Sequence, residues 1–156
     1  ERRVQAIATV HAALSQNVDE SVDFDEVART IVRMAGAIAS TDHGVEVITT
    51  GTFGTISADQ AQALATVLNE LVANSVEHGL ADRDGRIEVC AQRDNLSMKV
   101  TVADDGVGFV PGTPMSGLGT QIVHQMVRGE LRGSIEWAPR EGGGTLVTLL
   151  INLDPA

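Results

Sequence analysis

The sequence predicts an α+β fold, a two-layer sandwich in which helices pack on a sheet. Three observations lead there. Several segments repeat apolar residues at the 3.6-residue helical period, and others alternate apolar and polar residues as half-buried strands do. The strand-like segments come as adjacent pairs joined by short turns, which favours antiparallel pairing over alternating βαβ units. At 156 residues the chain is one domain with a short appendage, long enough to bury a core without disulfides.

Residues 3–16 place Val4, Ile7, Ala8, His11 and Leu14 at helical spacing. Residues 24–39 repeat the pattern with Val27, Ile31, Met34, Ala35 and Ile38, and Asp23 with Glu26 reads as a capping box in front of them. A short strand is expected over 44–49. Ser57 with Gln60 forms another capping box, opening a helix that runs to about Leu80. Strands follow near 85–92 and 97–103, joined through Asp94 and Asn95. A Gly/Pro-rich loop spans 104–117, then a helix from Leu118 to Arg128. Ser134–Trp137 and Thr145–Leu153 form a last strand pair across "APREGGG".

Composition narrows the function classes. Aromatic residues make up 3% of the chain and tyrosine is absent, so the core must be built from Val, Leu, Ile and Ala. The lone Cys90 excludes an internal disulfide framework and fits a reducing, cytoplasmic compartment. A net charge of −10 argues against nucleic-acid binding. It leaves room for a nucleotide, because a backbone nest or a bound Mg²⁺ offsets the global field locally. No apolar run approaches the ~18 residues of a membrane span. The start at Glu1, without a Met, reads as a piece of a longer protein.

Four motifs carry chemistry. In "LNELVANSVEHG", Glu70, Asn74 and His78 recur at i, i+4 and i+8 opposite an apolar face. Such a stripe can be no more than a solvated side. It can equally supply a neutral oxygen ligand for Mg²⁺ from Asn74 and an acid from Glu70. In "DDGVGF", Asp104 ends a strand whose Met98, Val100 and Val102 alternate with polar neighbours. Its carboxylate can accept from an exocyclic amine such as adenine N6, and Gly106 and Gly108 leave room for a flat base. Asp105 reads as a turn-forming or solvent-facing neighbour. In "SGLGTQIV", Gly117 and Gly119 lead into a helix whose free N–H groups suit phosphate oxygens. In "GGGT", glycines precede a strand that begins at Thr145. Taken singly, each glycine run is an ordinary turn signal.

In this order and spacing the four motifs resemble the GHKL ATP-binding superfamily over residues 44–153. Within it the chain is most similar to bacterial sensor histidine kinases of the HisKA_2/HWE-related group. The resemblance implies the Bergerat ATPase fold. That fold has a mixed, mainly antiparallel sheet with helices on one face, preceded here by an N-terminal helical segment. Residues 1–40 would be the end of the dimerisation and phosphotransfer region plus a connecting helix, and 41–156 the ATP-binding domain. Carried over by position, Glu70 is the catalytic acid of the N box. Asn74 ligates Mg²⁺ and through it the triphosphate. From its own position before the helix-ending Gly79, His78 can approach a phosphate or cap the helix C-terminus. Asp104 bonds adenine, Gly106 and Gly108 shape the base pocket, and Gly117, Leu118, Gly119 and Thr120 form the phosphate-contacting lid edge. Thr145 supports the base.

Two departures stand out. Glu77 occupies the place where many relatives of this type carry Lys, a "VEHG" pattern also found among anti-sigma-factor serine kinases. The loop between the glycine boxes is short, with Phe109 as an abbreviated hydrophobic signal. Among the histidines, His11 lies in a stretch similar to the second helix of the phosphotransfer region, His43 in a polar turn and His124 on the helix after the lid. The acceptor histidine is therefore expected upstream of Glu1, and the chain alone is expected to bind ATP without autophosphorylating. The intact protein would be a homodimeric histidine kinase that passes its phosphoryl group to the receiver domain of a response regulator. A serine kinase of anti-sigma type, or a nucleotide-dependent interaction module without catalysis, is the alternative.

Overall fold

The computed structural model describes residues 21–39, 44–80, 83–108 and 118–155. The expected helix over 3–16, His11, His43, Phe109, Gly117 and the lid between the glycine boxes lie outside them, as does the side chain of Leu118.

The described chain runs β1 (Ser21–Asp23), α1 (Phe24–Ala39), β2 (Val45–Gly51), β3 (Thr55–Ser57), α2 (Ala58–Asn74) and a π turn (Ser75–Gly79). It continues β4 (Gly85–Asp94), β5 (Ser97–Asp104), α3 (Leu118–Arg128), β6 (Ser134–Pro139) and β7 (Thr145–Asn152). Five strands form one sheet in the order β2-β4-β5-β7-β6. Its pairs are antiparallel except β2 with β4, which run parallel. That parallel edge is a βαβ crossover through α2, a feature the paired-strand pattern did not announce. β1 and β3 make a separate antiparallel pair. At three residues each, neither shows enough alternation to be read from sequence.

Alternation fixes which face is buried. Met98, Val100 and Val102 of β5 point inward with Ile87 and Val89 of β4 and Val147, Leu149 and Ile151 of β7. Against them lie Ala28, Ile31, Val32 and Ala35 of α1, Leu64, Leu68, Leu71 and Val72 of α2, and Val123 and Val127 of α3. α2 is the central helix. It packs on α1 along one side and α3 along the other, so it is buried on more of its circumference than an amphipathic surface helix. α1 therefore belongs to the same core as the sheet, whatever precedes it.

The chain is pinned at several polar points. Asp25 accepts from Phe53 N (2.7 Å) and Gly54 N (3.1 Å), which holds the β2–β3 loop against the start of α1. Phe24 and Phe53 meet there at a tilt of 56° with ring centroids 5.2 Å apart. The β4–β5 hairpin turns on Asn95 and Leu96, with Asn95 in the left-handed region at φ 55°. This is one residue later than the expected Asp94–Asn95.

The capping box at α2 is half correct. Ser57 Oγ accepts from Gln60 N at 3.3 Å. The Gln60 side chain, instead of returning to Ser57, is fully buried and reaches three distant backbone groups. Its Nε2 donates to Glu130 O and Asn152 O at 2.9 Å each, and its Oε1 accepts from Asp154 N at 2.8 Å. One amide thus ties the first turn of α2 to the α3–β6 connection and to the end of β7. Instead of accepting from the Ser57 N–H alone, the amide donates to two carbonyls and accepts from a third backbone group, so tertiary packing wins over the local motif.

Replacing Gln60 by Leu keeps the volume and strands three backbone groups. Urea denaturation should show the variant less stable by about 2–4 kcal/mol, with an unchanged m-value.

Candidate functional site

The site forms at the pole of the sheet where β5 ends and β7 begins. Inward alternation along β5 continues one step past Val102 and lands on Asp104, which is 2% exposed. Its Oδ1 accepts from Gly106 N at 3.0 Å, an Asx-turn that bends the chain out of the strand. The same oxygen accepts from Thr145 N at 3.3 Å. Thr145 stands one register step beyond the Ala103–Leu146 pair and opens β7. No donor of the described residues reaches Oδ2. Asp104 is therefore oriented by one oxygen and presents the other.

Burial of Asp104 raises its pKa, while the Gly106 and Thr145 N–H bonds oppose the rise. The Asp105 carboxylate adds to it and Arg140 counters it. Asp105 itself is exposed and has its own task. Its Oδ1 accepts from Arg86 N at 2.9 Å, and its N–H reaches Arg86 O at 3.3 Å. The turn-forming residue thus stitches the strand end to β4.

Backbone conformation calls for glycine at 108 and 142–144, and close backbone approach calls for it at Gly108 and Gly144. Gly142, Gly143 and Gly144 hold φ of 89°, 113° and 101°, conformations that L side chains rarely adopt. A Cβ on Gly144 would overlap Asp104 O, and one on Gly108 (φ 73°) would press on Gly144 O at 3.2 Å. The two glycine runs, far apart in sequence, therefore close on one another around Asp104. Arg140, on the same turn as the glycines, is the charged neighbour that sequence reasoning missed. Only its place in "APREGGG" marked it.

The helix stripe does not stay together. Glu70 is buried, 5% exposed, which removes the solvated-face reading for this residue. Its carboxylate lies against the first turn of α3, where a Cβ on Gly119 would overlap Oε2. Thr120, on that turn, is buried as well. Asn74 closes α2 and is half-buried. The His78 side chain is 77% exposed, with Nε2 4.0 Å from Glu77 Oε2. The cause is the π turn. Leu80 N donates to Ser75 O, five residues back, at 2.7 Å, and the wider turn breaks the i, i+4, i+8 alignment. Val76 and Leu80 stay in the core while Glu77 and His78 face solvent. Among the described residues no group of three or more His, Cys, Asp or Glu could hold a metal. The neutral Asn74 oxygen suits Mg²⁺ as a single donor beside phosphate oxygens.

A family model for histidine kinase-, DNA gyrase B- and HSP90-like ATPases matches residues 59–155. The chain belongs to this ATPase family. It is 38% identical over 155 residues to the sensor histidine kinase PdtaS of Mycobacterium tuberculosis, covering 96% of this chain and 31% of that protein. It is 27% identical over 139 residues to a blue-light-activated histidine kinase of Rhizobium johnstonii, covering 87% of this chain and 38% of that protein. The histidine kinase domain of the blue-light activated kinase of Erythrobacter litoralis superposes with a TM-score of 0.74 at 25% identity, over 97% of this chain and 73% of that one. The chain is thus an ATP-binding catalytic domain of the sensor-kinase type, and it spans about a third of the length of the PdtaS relatives it matches.

Because the folded state raises the Asp104 pKa, its ionisation opposes folding. The stability it contributes is full below the unfolded carboxylate range and is lost as pH rises through the raised value. Asp104→Asn keeps an acceptor for both N–H groups and removes the buried charge. Its melting temperature without nucleotide should exceed that of the parent chain at pH 7, and the gain should shrink toward zero as pH falls below the carboxylate range.

Proposed function

We propose that the intact protein is a sensor histidine kinase and that this chain supplies its ATP site. The observation that carries the reading is the buried Asp104, held by Oδ1 and open at Oδ2 beside the glycine cradle. A carboxylate there accepts from the exocyclic amine of adenine. Gly106 and Gly108 leave space for the ring, and Thr145, fixed by its own N–H bond to Asp104, borders it.

Phosphoryl transfer asks the protein mainly for positioning and charge stabilisation. The first turn of α3, at Leu118, Gly119 and Thr120, offers N–H groups toward phosphate, with Gly117 preceding it. Asn74 would hold Mg²⁺ against the triphosphate, where the ion neutralises phosphate charge. Glu70, packed on that same turn of α3, would polarise the accepting group. His78, solvent-exposed within the π turn, is the weakest of the proposed phosphate contacts. The acceptor is a histidine on a helix upstream of this chain, in a homodimer whose phosphotransfer region ends within residues 1–40. The phosphoryl group then passes to the receiver domain of a response regulator in the cytoplasm.

Labelled ATP given to the intact protein should yield acid-labile phosphohistidine. Acid-stable phosphoserine would instead support the anti-sigma type of kinase. In this chain alone, Asp104→Ala should weaken ATP binding by about tenfold or more, the loss of one charge-assisted hydrogen bond. Unchanged affinity would remove the base-recognition role.

A further inference from the structure

The β4–β5 ladder ends at the Ile87–Asp104 pair, which leaves Arg86 opposite Asp105. Asp105 N still donates to Arg86 O at 3.3 Å, as in a hydrogen-bonded antiparallel pair. The return bond is different. Arg86 N donates to the side-chain Oδ1 of Asp105 at 2.9 Å, where a continued ladder would use the Asp105 carbonyl. The carboxylate thus stands in for its own backbone group. Gly85 leaves the room for it: a Cβ there would fall 2.8 Å from Asp105 Oδ1 and would overlap the Leu80 side chain.

With the Asp105 carbonyl out of the ladder, the backbone is free to turn, and Gly106 N reaches Asp104 Oδ1 at 3.0 Å. A continued ladder would carry Gly106 straight on along the strand and away from that oxygen. Arg86 and Asp105 are both exposed, so water would satisfy the Arg86 N–H in the absence of the carboxylate. What the carboxylate adds is direction: it sets the residue at which β5 stops, and so the way Asp104 faces.

We propose that Asp105 is a positioning residue for purine selection, ending β5 at Asp104 and thereby fixing the oxygen offered to the adenine amine. This role rests on the reading that Asp104 accepts from that amine. The bonded oxygen of Asp105 is turned to β4, and the residue acts through Asp104. Its charge does not serve the role. That charge opposes ionisation of Asp104, an effect that Arg140 counters. An amide oxygen at the same place would hold the Arg86 N–H without this cost.

Calorimetric titration of this chain with ATP and with inosine triphosphate tests the role. Asp105→Ala should lose about fivefold or more in ATP affinity, as a misdirected charge-assisted hydrogen bond implies, with inosine triphosphate affinity unchanged. A role in folding alone would weaken both nucleotides alike. Asp105→Asn keeps the acceptor and should keep the parent preference for ATP. In the nucleotide-free chain the Gly106 amide resonance should move in Asp105→Ala and stay near its parent position in Asp105→Asn. An undiminished preference in Asp105→Ala, equal loss of both nucleotides, an unmoved Gly106 resonance, or a preference lost as fully in Asp105→Asn would overturn the proposal and leave Asp104 as the purine reader. A parent chain that binds both nucleotides equally would overturn the Asp104 reading, and this role with it.

Discussion

The site depends on one oxygen with two donors. Asp104 Oδ1 takes the N–H of Gly106, which ends its own strand, and the N–H of Thr145, which begins β7. Without the first bond the chain has no reason to leave the strand at that point. The second locks β7 beside it, close enough that Gly144 can carry no side chain. A carboxylate that would destabilise the core by its burial is thereby kept in one orientation, with its second oxygen available. The same desolvation that opposes folding strengthens whatever hydrogen bond that oxygen accepts. This is the usual trade between stability and activity at a binding site.

Two polar pins frame the sandwich at opposite poles. Asp104 joins β5 to β7 at the end that carries the glycine runs. Gln60 joins α2 to the α3–β6 connection and to β7 at the other. Between them α2 is gripped by α1 and α3, and Glu70 meets the first turn of α3 through the gap left by Gly119. The π turn at the end of α2 sorts the side chains that follow: it keeps Val76 and Leu80 in the core and turns Glu77 and His78 outward.

Much of this was legible in the sequence because periodicity reports burial. The inward row Met98, Val100, Val102 carries on to Asp104 by the period of two, so the strand pattern alone aims that carboxylate at the interior. The glycine runs marked where backbones approach, although not that they approach each other. What stayed hidden was decided by tertiary context. A helical wheel places Glu70 and His78 on one stripe, and it fails at His78 because a π turn leaves no signature in residue spacing. Gln60 matched a local cap, but distant carbonyls of β7 and the α3–β6 connection competed for its amide. The parallel edge between β2 and β4 was obscured because β3 and α2 intervene, and strands of three residues show too little alternation to be seen.

The claim that Asp104 reads the purine amine is tested most directly by a pair of ligands that differ only there. ATP and inosine triphosphate share sugar and phosphates, and a carbonyl replaces the 6-amino donor in the second. Calorimetric titration of this chain should find inosine triphosphate weaker by about tenfold or more, since two facing acceptors leave the buried carboxylate unpaired. Equal affinity for the two nucleotides would contradict the account.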